Sequence, residues 1–508
     1  MSDWTAGYVA EIDYTYGYYP ELNPLRIKLA FLNQGLEFPE VGTACELGYG
    51  QGLGTNMLAA SSKVAWWGTD FNPSHAGFAQ ELGGISGAQL FDESFAEFCG
   101  RSDLPEFDFI ALHGIWTWIS NENRAIIVEF IRRKLKVGGV VYMSYNTLPG
   151  WSTAAPLRHL MSEYKTKMTA PGQGIVSSLE NALEFTQKLF DSEPLWTKAN
   201  PSVIERFNKA IKPQNKHYLA HEYLNGHWDP LYFASMVNWL EPTKMQFACS
   251  ANLLDAVDVI NLTAQQQALL AEIPDPMFRQ SIRDYMVNQQ FRKDYWVKGA
   301  RKMTLLQQAE AFRSLRVLLV TRREDVPLKI NAALGEGSLQ ETVYEPILDL
   351  LSDLKPRSLG EMEAALNGKN IQFSQLMQAI MILSGMGHVY SVQEESLQNS
   401  KNAKALNAAL MDQARGNTQL NYLVSPVTGG GHVLNRIQQL FLLAIRNGKK
   451  SPDEWVKFVW EILAMQSQKL VKAGNTLSTP EENLAELAEQ ARTFAEKQLP
   501  VLKALQIA

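Results

Sequence analysis

The chain has 508 residues, 46% of them hydrophobic, with 47 Lys+Arg against 53 Asp+Glu and a formal charge of -6. That length exceeds one usual core and calls for two to four domains, and that balance argues against a protein built to hold nucleic acid through its phosphates. The three cysteines (Cys45, Cys99, Cys249) form no disulfide framework, the start Met1-Ser-Asp-Trp4 has no leader character, and no apolar run reaches the roughly 18 residues of a membrane span, so a cytoplasmic protein with no membrane insertion is expected.

From Val41 to Tyr145 strand and helix alternate. Val41–Leu47 predicts a strand that runs into a glycine cluster, Thr55–Ser61 a helix, and Val64–Thr69 a second strand. A helix follows from about Pro73, and Gln89–Phe91 is a weak third strand. Phe107–Leu112 and Val140–Tyr145 are strong strands, separated by the helix Asn123–Leu135 and the turn Lys136-Val-Gly-Gly139. Repeated β-α units of this size imply a parallel sheet with helices on both faces. Past Trp151 the pattern turns helical, broken once at Ala170-Pro-Gly-Gln-Gly174. His217–Asn225 and Met245–Ser250 read as two strands closing the sheet, with the helix Tyr232–Leu240 between them. Helix dominates Leu262–Val297, and Leu315–Val320 reads as a strand.

Val343–Val392 reads as a module of its own. A helix ends near Leu354, Ser358 is an N-cap with Glu361 three residues on, and a helix Ser374–Ser384 leads through Gly385-Met-Gly387 into a strand, His388–Ser391. Three helices and a strand suggest a winged-helix-like unit. Its last helix carries no Lys or Arg, which suits packing or protein recognition and not DNA. Asn421–Thr428 is extended and opens a Gly429-Gly-Gly431 turn, and the tail is helical with capping boxes at Ser451–Glu454 and Thr479–Glu482. The expected organisation is a sheet domain over 1–255 with a helical insertion at about 165–215, a helical region over 256–320, a winged-helix-like domain over 321–400 and a helical domain over 401–508.

The chemistry concentrates at Glu46-Leu-Gly48-Tyr49-Gly50-Gln-Gly52-Leu-Gly54, at the carboxyl end of the first strand, where open α/β sheets bind ligands. The spacing is not that of a dinucleotide loop: after Gly48 or Gly50 the third glycine would fall on Leu53 or Thr55. No phosphate loop of the G-x-x-x-x-G-K-[ST] kind is present. Glu46 before the glycines would repel a pyrophosphate but suits S-adenosylmethionine (SAM), with its ammonium and sulfonium. Asp70, followed by Phe71, ends the second strand, where a carboxylate accepts both ribose hydroxyls. Asp92, Ser94 and Phe95 follow the third strand, where polar groups bond the adenine amine and a ring flanks the base. Together these predict a SAM-type site.

The chain resembles class I SAM-dependent methyltransferases, and more narrowly those with a methyltransferase regulatory domain, including rickettsial protein-lysine methyltransferases. The resemblance rests on Tyr18-Tyr-Pro20 with Asn23-Pro-Leu-Arg26, the Glu46–Gly52 loop, His113-Gly-Ile-Trp116-Thr-Trp118 and Ser144-Tyr-Asn146-Thr-Leu-Pro149-Gly-Trp151. It extends to His221-Glu-Tyr-Leu224, Phe291-Arg-Lys-Asp294 and Tyr422-Leu-Val-Ser-Pro426, and weakens after about Gly299. Asn23 stands where His is expected in many relatives. The resemblance implies a Rossmann-like class I methyltransferase sheet, mainly helical accessory domains, SAM as cofactor, a protein lysine as methyl acceptor and a homodimer.

Methyl transfer is a direct displacement, so the site must align the nucleophile with the sulfonium and exclude water; no strong general base is required. The candidates around the methyl group are Tyr19, His113, Trp116, Tyr145 and Asn146. His113 follows the fourth strand directly, Tyr145 and Asn146 end the fifth, and Tyr19 belongs to a cluster with Tyr14, Tyr16 and Tyr18 placed to fold over the cofactor. Two of those four tyrosines are expected to pack. His217 and His221 stand four apart with Glu222 and His227 nearby, but the His-Glu-x-x-His order is absent and Tyr218, Leu219 and Tyr223 look strand-like, so no metal is expected. The leading function is methyl transfer to protein lysine; the alternatives are a small-molecule, sugar or lipid methyltransferase whose accessory half dimerises, and a non-enzymatic SAM-binding protein.

Overall fold

Each apolar run between residues 43 and 146 becomes a strand: β1 (Thr43–Leu47), β2 (Ala65–Thr69), β3 (Gln89–Phe91), β4 (Phe107–Leu112) and β5 (Leu135–Asn146). They pair in parallel, and β6 (Met245–Ser250) and β7 (Phe291–Lys298) extend the sheet in the order β3-β2-β1-β4-β5-β7-β6. β7 runs antiparallel to both β5 and β6. This is a computed structural model, and it describes Tyr8, Ile12 and residues 14–170 and 172–508. The start Met1–Trp4 and Pro171 of the expected helix break lie outside the described residues.

Successive residues of a strand point to opposite faces, and the strands here bury both. Ala44, Phe109, Ala111, Val140 and Tyr142 join a core with Met57 and Leu58 of α2 (Leu53–Ser61) and Ala79 and Leu82 of α3 (Pro73–Ser86). Cys45, Ile110, Leu112, Val141 and Met143 join a second core with Phe98 of α4 (Phe95–Gly100) and Ile127, Phe130 and Ile131 of α5 (Asn121–Lys134). A third core, outside the sheet, gathers Leu157, Leu179, Phe207 and Leu219 from the helical segment after Trp151.

Three expectations about secondary structure are corrected. His217–Asn225 is not a strand: Lys216–Leu224 is a helix, capped by Asn215, whose side chain accepts from the amides of His217 and Tyr218. Helix wins because Leu219, Ala220, Tyr223 and Leu224 then all meet the third core. Leu262–Val297 is helical only as far as Met286, and then forms β7, so one strand of the sheet lies beyond residue 255. Lys136–Gly139 is not a turn; it is an irregular stretch inside β5, where the register against β4 shifts between Phe107 and Phe109.

The accessory half contains a three-stranded sheet in the order Arg357–Ser358, Arg316–Leu319, Val389–Ser391, with the helices Glu341–Leu351, Leu359–Ala365 and Phe373–Gly385. The capping boxes at Ser358–Glu361, Ser451–Glu454 and Thr479–Glu482 all form. A hairpin, Tyr422–Ser425 with Gly430–Val433, reaches back to the N-terminal segment, where the Asn23 side chain donates to the carbonyls of Thr428 (2.9 Å) and Gly429 (3.3 Å). No described helix is long and apolar enough to cross a membrane.

Candidate active site

A cavity lies over the carboxyl ends of β1, β2 and β4. Its floor is the loop between β1 and α2. Gly48, Gly50 and Gly52 there have φ of 77°, 58° and 65°, a left-handed backbone that side chains resist. Space resists a side chain at two of them: a Cβ on Gly48 would come within 2.4 Å of Ile115 Cδ1, a tip that would have to move, and one on Gly52 within 2.5 Å of the Ala79 Cβ. The loop is therefore free to approach a ligand with bare backbone.

Two carboxylates mark the loop. Glu46 is buried and accepts a short hydrogen bond from the Thr55 hydroxyl. Burial, with the nearby charge of Asp70, pushes its carboxyl up to about 7. Asp70 Oδ2 accepts from the Gly50 amide at 2.9 Å, Oδ1 accepts from the Asn72 amide at 3.1 Å, and His75 Nδ1 stands 3.7 Å from Oδ1. A cavity with bare backbone between two acidic side chains suits a ligand with cationic and hydroxyl groups, which are the groups of SAM.

Of the residues predicted from sequence, Tyr19, Glu46, Gly48, Tyr49, Gly50, Gly52, Asp70, Phe71, Ser94, Phe95 and His113 all line this cavity. Tyr49 is anchored by its hydroxyl, which donates to the Phe91 carbonyl at 2.8 Å. Ser94 caps α4 in a capping box with Glu97. His113 is sandwiched: its Nδ1 lies 2.9 Å from the Tyr142 hydroxyl, and the Tyr19 ring stacks on it. Burial drives this imidazole down to about 3, so it is neutral at any working pH.

Four predicted residues are elsewhere. Asp92 is exposed and outside the cavity, and Glu93 beside it lines the wall. Trp116 is fully buried against Trp239 and the Arg124 guanidinium; Trp118, not Trp116, reaches the cavity. Tyr145 points to the second core, and its hydroxyl donates to Asp294 Oδ2 at 2.7 Å. That carboxylate also takes the Arg292 guanidinium, which bonds Asp284 in turn. Asn146 is buried under the loop at Leu231, whose amide donates to the Asn146 carbonyl. Of the clustered tyrosines, Tyr14 and Tyr19 line the cavity, whereas Tyr16 packs on Phe78 and Tyr18 beside Tyr422.

The structure adds residues that no strand-end argument reaches. Tyr8, Tyr14 and Gln51 close one side, the Gln51 amide donating to the Tyr14 carbonyl. His221, Glu222, Asn225 and His227 supply another wall. The unusual histidine and glutamate grouping was a visible signal; its meaning depended on a helix that the pattern read as a strand. Among the described residues, no group of three or more His, Cys, Asp or Glu is placed to hold a metal ion.

Residues 215–298 match the model of a family described as a predicted methyltransferase regulatory domain; the match opens at the helix that bears Glu222 and closes on β7. An uncharacterized protein of Synechocystis sp. is 40% identical over 99% of this chain and 99% of its own length. An uncharacterized protein of Rickettsia prowazekii is 23% identical over 56% of this chain and 51% of its own. Among solved structures, PKMT2 from Rickettsia typhi in complex with AdoHcy aligns over 97% of this chain and 100% of that one, with a TM-score of 0.69 at 17% identity. That last likeness is one of fold, and it runs through the accessory half as well as the sheet domain.

Proposed function

The chain belongs to the SAM-dependent methyltransferases that carry a methyltransferase regulatory domain, and from that membership we propose that it transfers methyl groups from SAM to lysine side chains of proteins. The observation that carries the methyl-donor half of this reading is the pair of carboxylates, Glu46 and Asp70, on one glycine floor within one cavity. SAM supplies an electrophilic methyl on a cationic sulfur, so the protein has to bind, orient and exclude water. In this reading Glu46 takes the ammonium, Asp70 the ribose hydroxyls, and Phe71, Ser94 and Phe95 the adenine. Tyr19 and His113 form the wall beside the reacting centre, offering an aromatic face to positive charge.

A protein acceptor is favoured by the accessory half, which a small metabolite would not require. The fold likeness to PKMT2 over the whole chain supports the same choice. We further propose a cytoplasmic homodimer. The cysteines are all free and buried, as suits a reducing compartment. Leu269, Phe278 and Tyr285, on the helices Ala264–Glu272 and Pro276–Met286, are large apolar side chains left 48%, 55% and 59% exposed.

Tritiated SAM incubated with the protein and a lysate of the cell that makes it tests the acceptor. Label should appear in protein and be recovered as methyl-lysine after hydrolysis. Label confined to small molecules or lipid would remove the lysine reading and leave the methyltransferase one.

A further inference from the structure

One wall of the cavity lies outside the residues assigned above to the cofactor. The helix Lys216–Leu224 packs Leu219, Ala220, Tyr223 and Leu224 into the third core, and that packing leaves Glu222 on the cavity side. Among the described residues, nothing hydrogen-bonds to the Glu222 carboxylate or pairs with it; its backbone carbonyl alone is engaged, by Arg158. The two nearby guanidiniums act on it through charge alone, and the contacts they make lie elsewhere. Arg158 donates to the Asn225 carbonyl and lies over Trp228, and Arg206 lies over Trp151 at 4.2 Å from the ring centroid. Glu222 is half-buried, and a partly desolvated carboxylate with no hydrogen-bonded partner gains from a ligand cation.

Its surroundings suit such a cation. Tyr8 and Tyr14 line the same cavity, their rings 5.6 Å and 5.1 Å from the His221 ring. Burial, joined by the Glu222 charge, pushes the Tyr14 phenol up to about 12, so it stays a neutral ring and hydroxyl. Aromatic faces attract ammonium groups. A hydroxyl could bond the carboxylate but brings no charge to balance it, and a carbonyl could not pair with it.

We propose that Glu222 receives the cationic amine of the methyl acceptor, beside the rings of Tyr8 and Tyr14, and takes its proton. This rests on the amine-acceptor reading above. An alkyl ammonium keeps its proton up to a pKa of about 10.4, so at neutral pH it has no lone pair to attack with. Transfer of that proton to a Glu222 oxygen frees the nitrogen lone pair. The lone pair forms the N–C bond, the C–S bond breaks, and its electrons remain on sulfur. Burial holds the Glu222 carboxyl up at about 7 against the pull of Arg158 and Arg206, which narrows the gap to the amine. Tyr8, Tyr14, Tyr218 and Tyr223 are the remaining titratable groups that respond to its charge, and all four phenols are pushed upward.

The test compares the wild-type protein with Glu222→Gln and Glu222→Asp in three measurements: AdoHcy affinity by calorimetry, melting temperature, and the rate at which lysate protein gains lysine-bound label, from pH 6 to about pH 10. The Gln variant should hold AdoHcy within about twofold, melt like the wild type and lose about 100-fold in rate, with its acid limb displaced upward from near 7. The Asp variant should retain the limb at a reduced rate, and it carries the test if the Gln variant fails to fold. A Gln variant with wild-type rate and limb overturns the role of Glu222 alone. A folded Gln variant that loses AdoHcy assigns Glu222 to the cofactor wall and equally overturns it. A wild-type protein that labels no lysine overturns the amine reading, and this inference with it.

Discussion

Tyr19 lies flat on His113, the ring centroids 3.4 Å apart and the planes 19° from parallel. The pair closes the cavity at the end of β4, and burial keeps the imidazole uncharged, at about 3. The sign of the resulting pH dependence follows. The folded value is below the unfolded value of about 6.5, so the contribution is fully present above pH 6.5. As pH falls from there toward 3, the unfolded chain takes up a proton that the folded chain refuses, and stability is lost. His113→Gln should therefore show a smaller drop in melting temperature between pH 7 and pH 5 than the wild type. An equal drop would mean that His113 is protonated in the folded protein.

Asp70 holds the glycine floor through Gly50 and is placed for the ribose. Asp70→Ala should weaken SAM binding by about 1–3 kcal/mol, the size of lost charge-assisted hydrogen bonds. Calorimetry on the purified variant gives the answer, and unchanged affinity would take the ribose role away from Asp70.

Glu46 makes a prediction in protons. Its carboxyl, raised to about 7 by burial and by Asp70, is partly protonated at neutral pH, and a bound ammonium draws it to the ionised form. Binding of AdoHcy at pH 7 should release about half a proton, read from binding heats in buffers of different ionisation enthalpy. In Glu46→Gln the release should vanish. A release that survives in the variant would place its source elsewhere.

Tyr145 was expected at the reacting centre and is instead 1% exposed and bound to Asp294. Tyr145→Phe should cost about 1.5–3 kcal/mol of stability, as for a hydrogen bond to a charged group, with AdoHcy affinity unchanged. Urea unfolding at neutral pH measures it. A stable but inactive variant would restore the catalytic assignment.

Gly150, inside the string Pro149-Gly-Trp151, has a structural reason to be glycine. A Cβ there would lie 2.1 Å from the Gln289 carbonyl oxygen, which also accepts from the Gly150 amide at 3.1 Å. Backbone cannot step aside as a side-chain tip can. Gly150→Ala should destabilise by at least about 1–3 kcal/mol, and a variant with wild-type melting would show that the contact between the two segments is looser than drawn.

The sheet and its cofactor floor were readable along the chain. A parallel strand buried on both faces is a local apolar run, and a loop that must turn left-handed advertises itself by glycine. Gly48, Gly50, Gly52, Glu46 and Asp70 consequently lie where strand ends placed them. β7 was hidden because Arg292, Lys293 and Asp294 look like a solvated helix face; burial is tolerable for Arg292 because Asp284 and Asp294 flank it and the Phe233 ring covers it. Tyr145 was placed at the right end of the right strand. The pleat then sent its side chain to the core with α4 and α5, and which face is odd or even follows from packing.

By itself, then, the order of residues determined the class of ligand the floor accepts, because that chemistry lies within short stretches next to strands. Which groups face that ligand was decided by the tertiary structure alone. Tyr14 and Tyr19, His113, and Glu222 come from three separate segments, and they share one cavity because a helix buries its apolar side in the third core and the N-terminal segment is tied by Asn23 to the distant hairpin. Proximity of that kind is a property of long-range packing, and no local pattern records it.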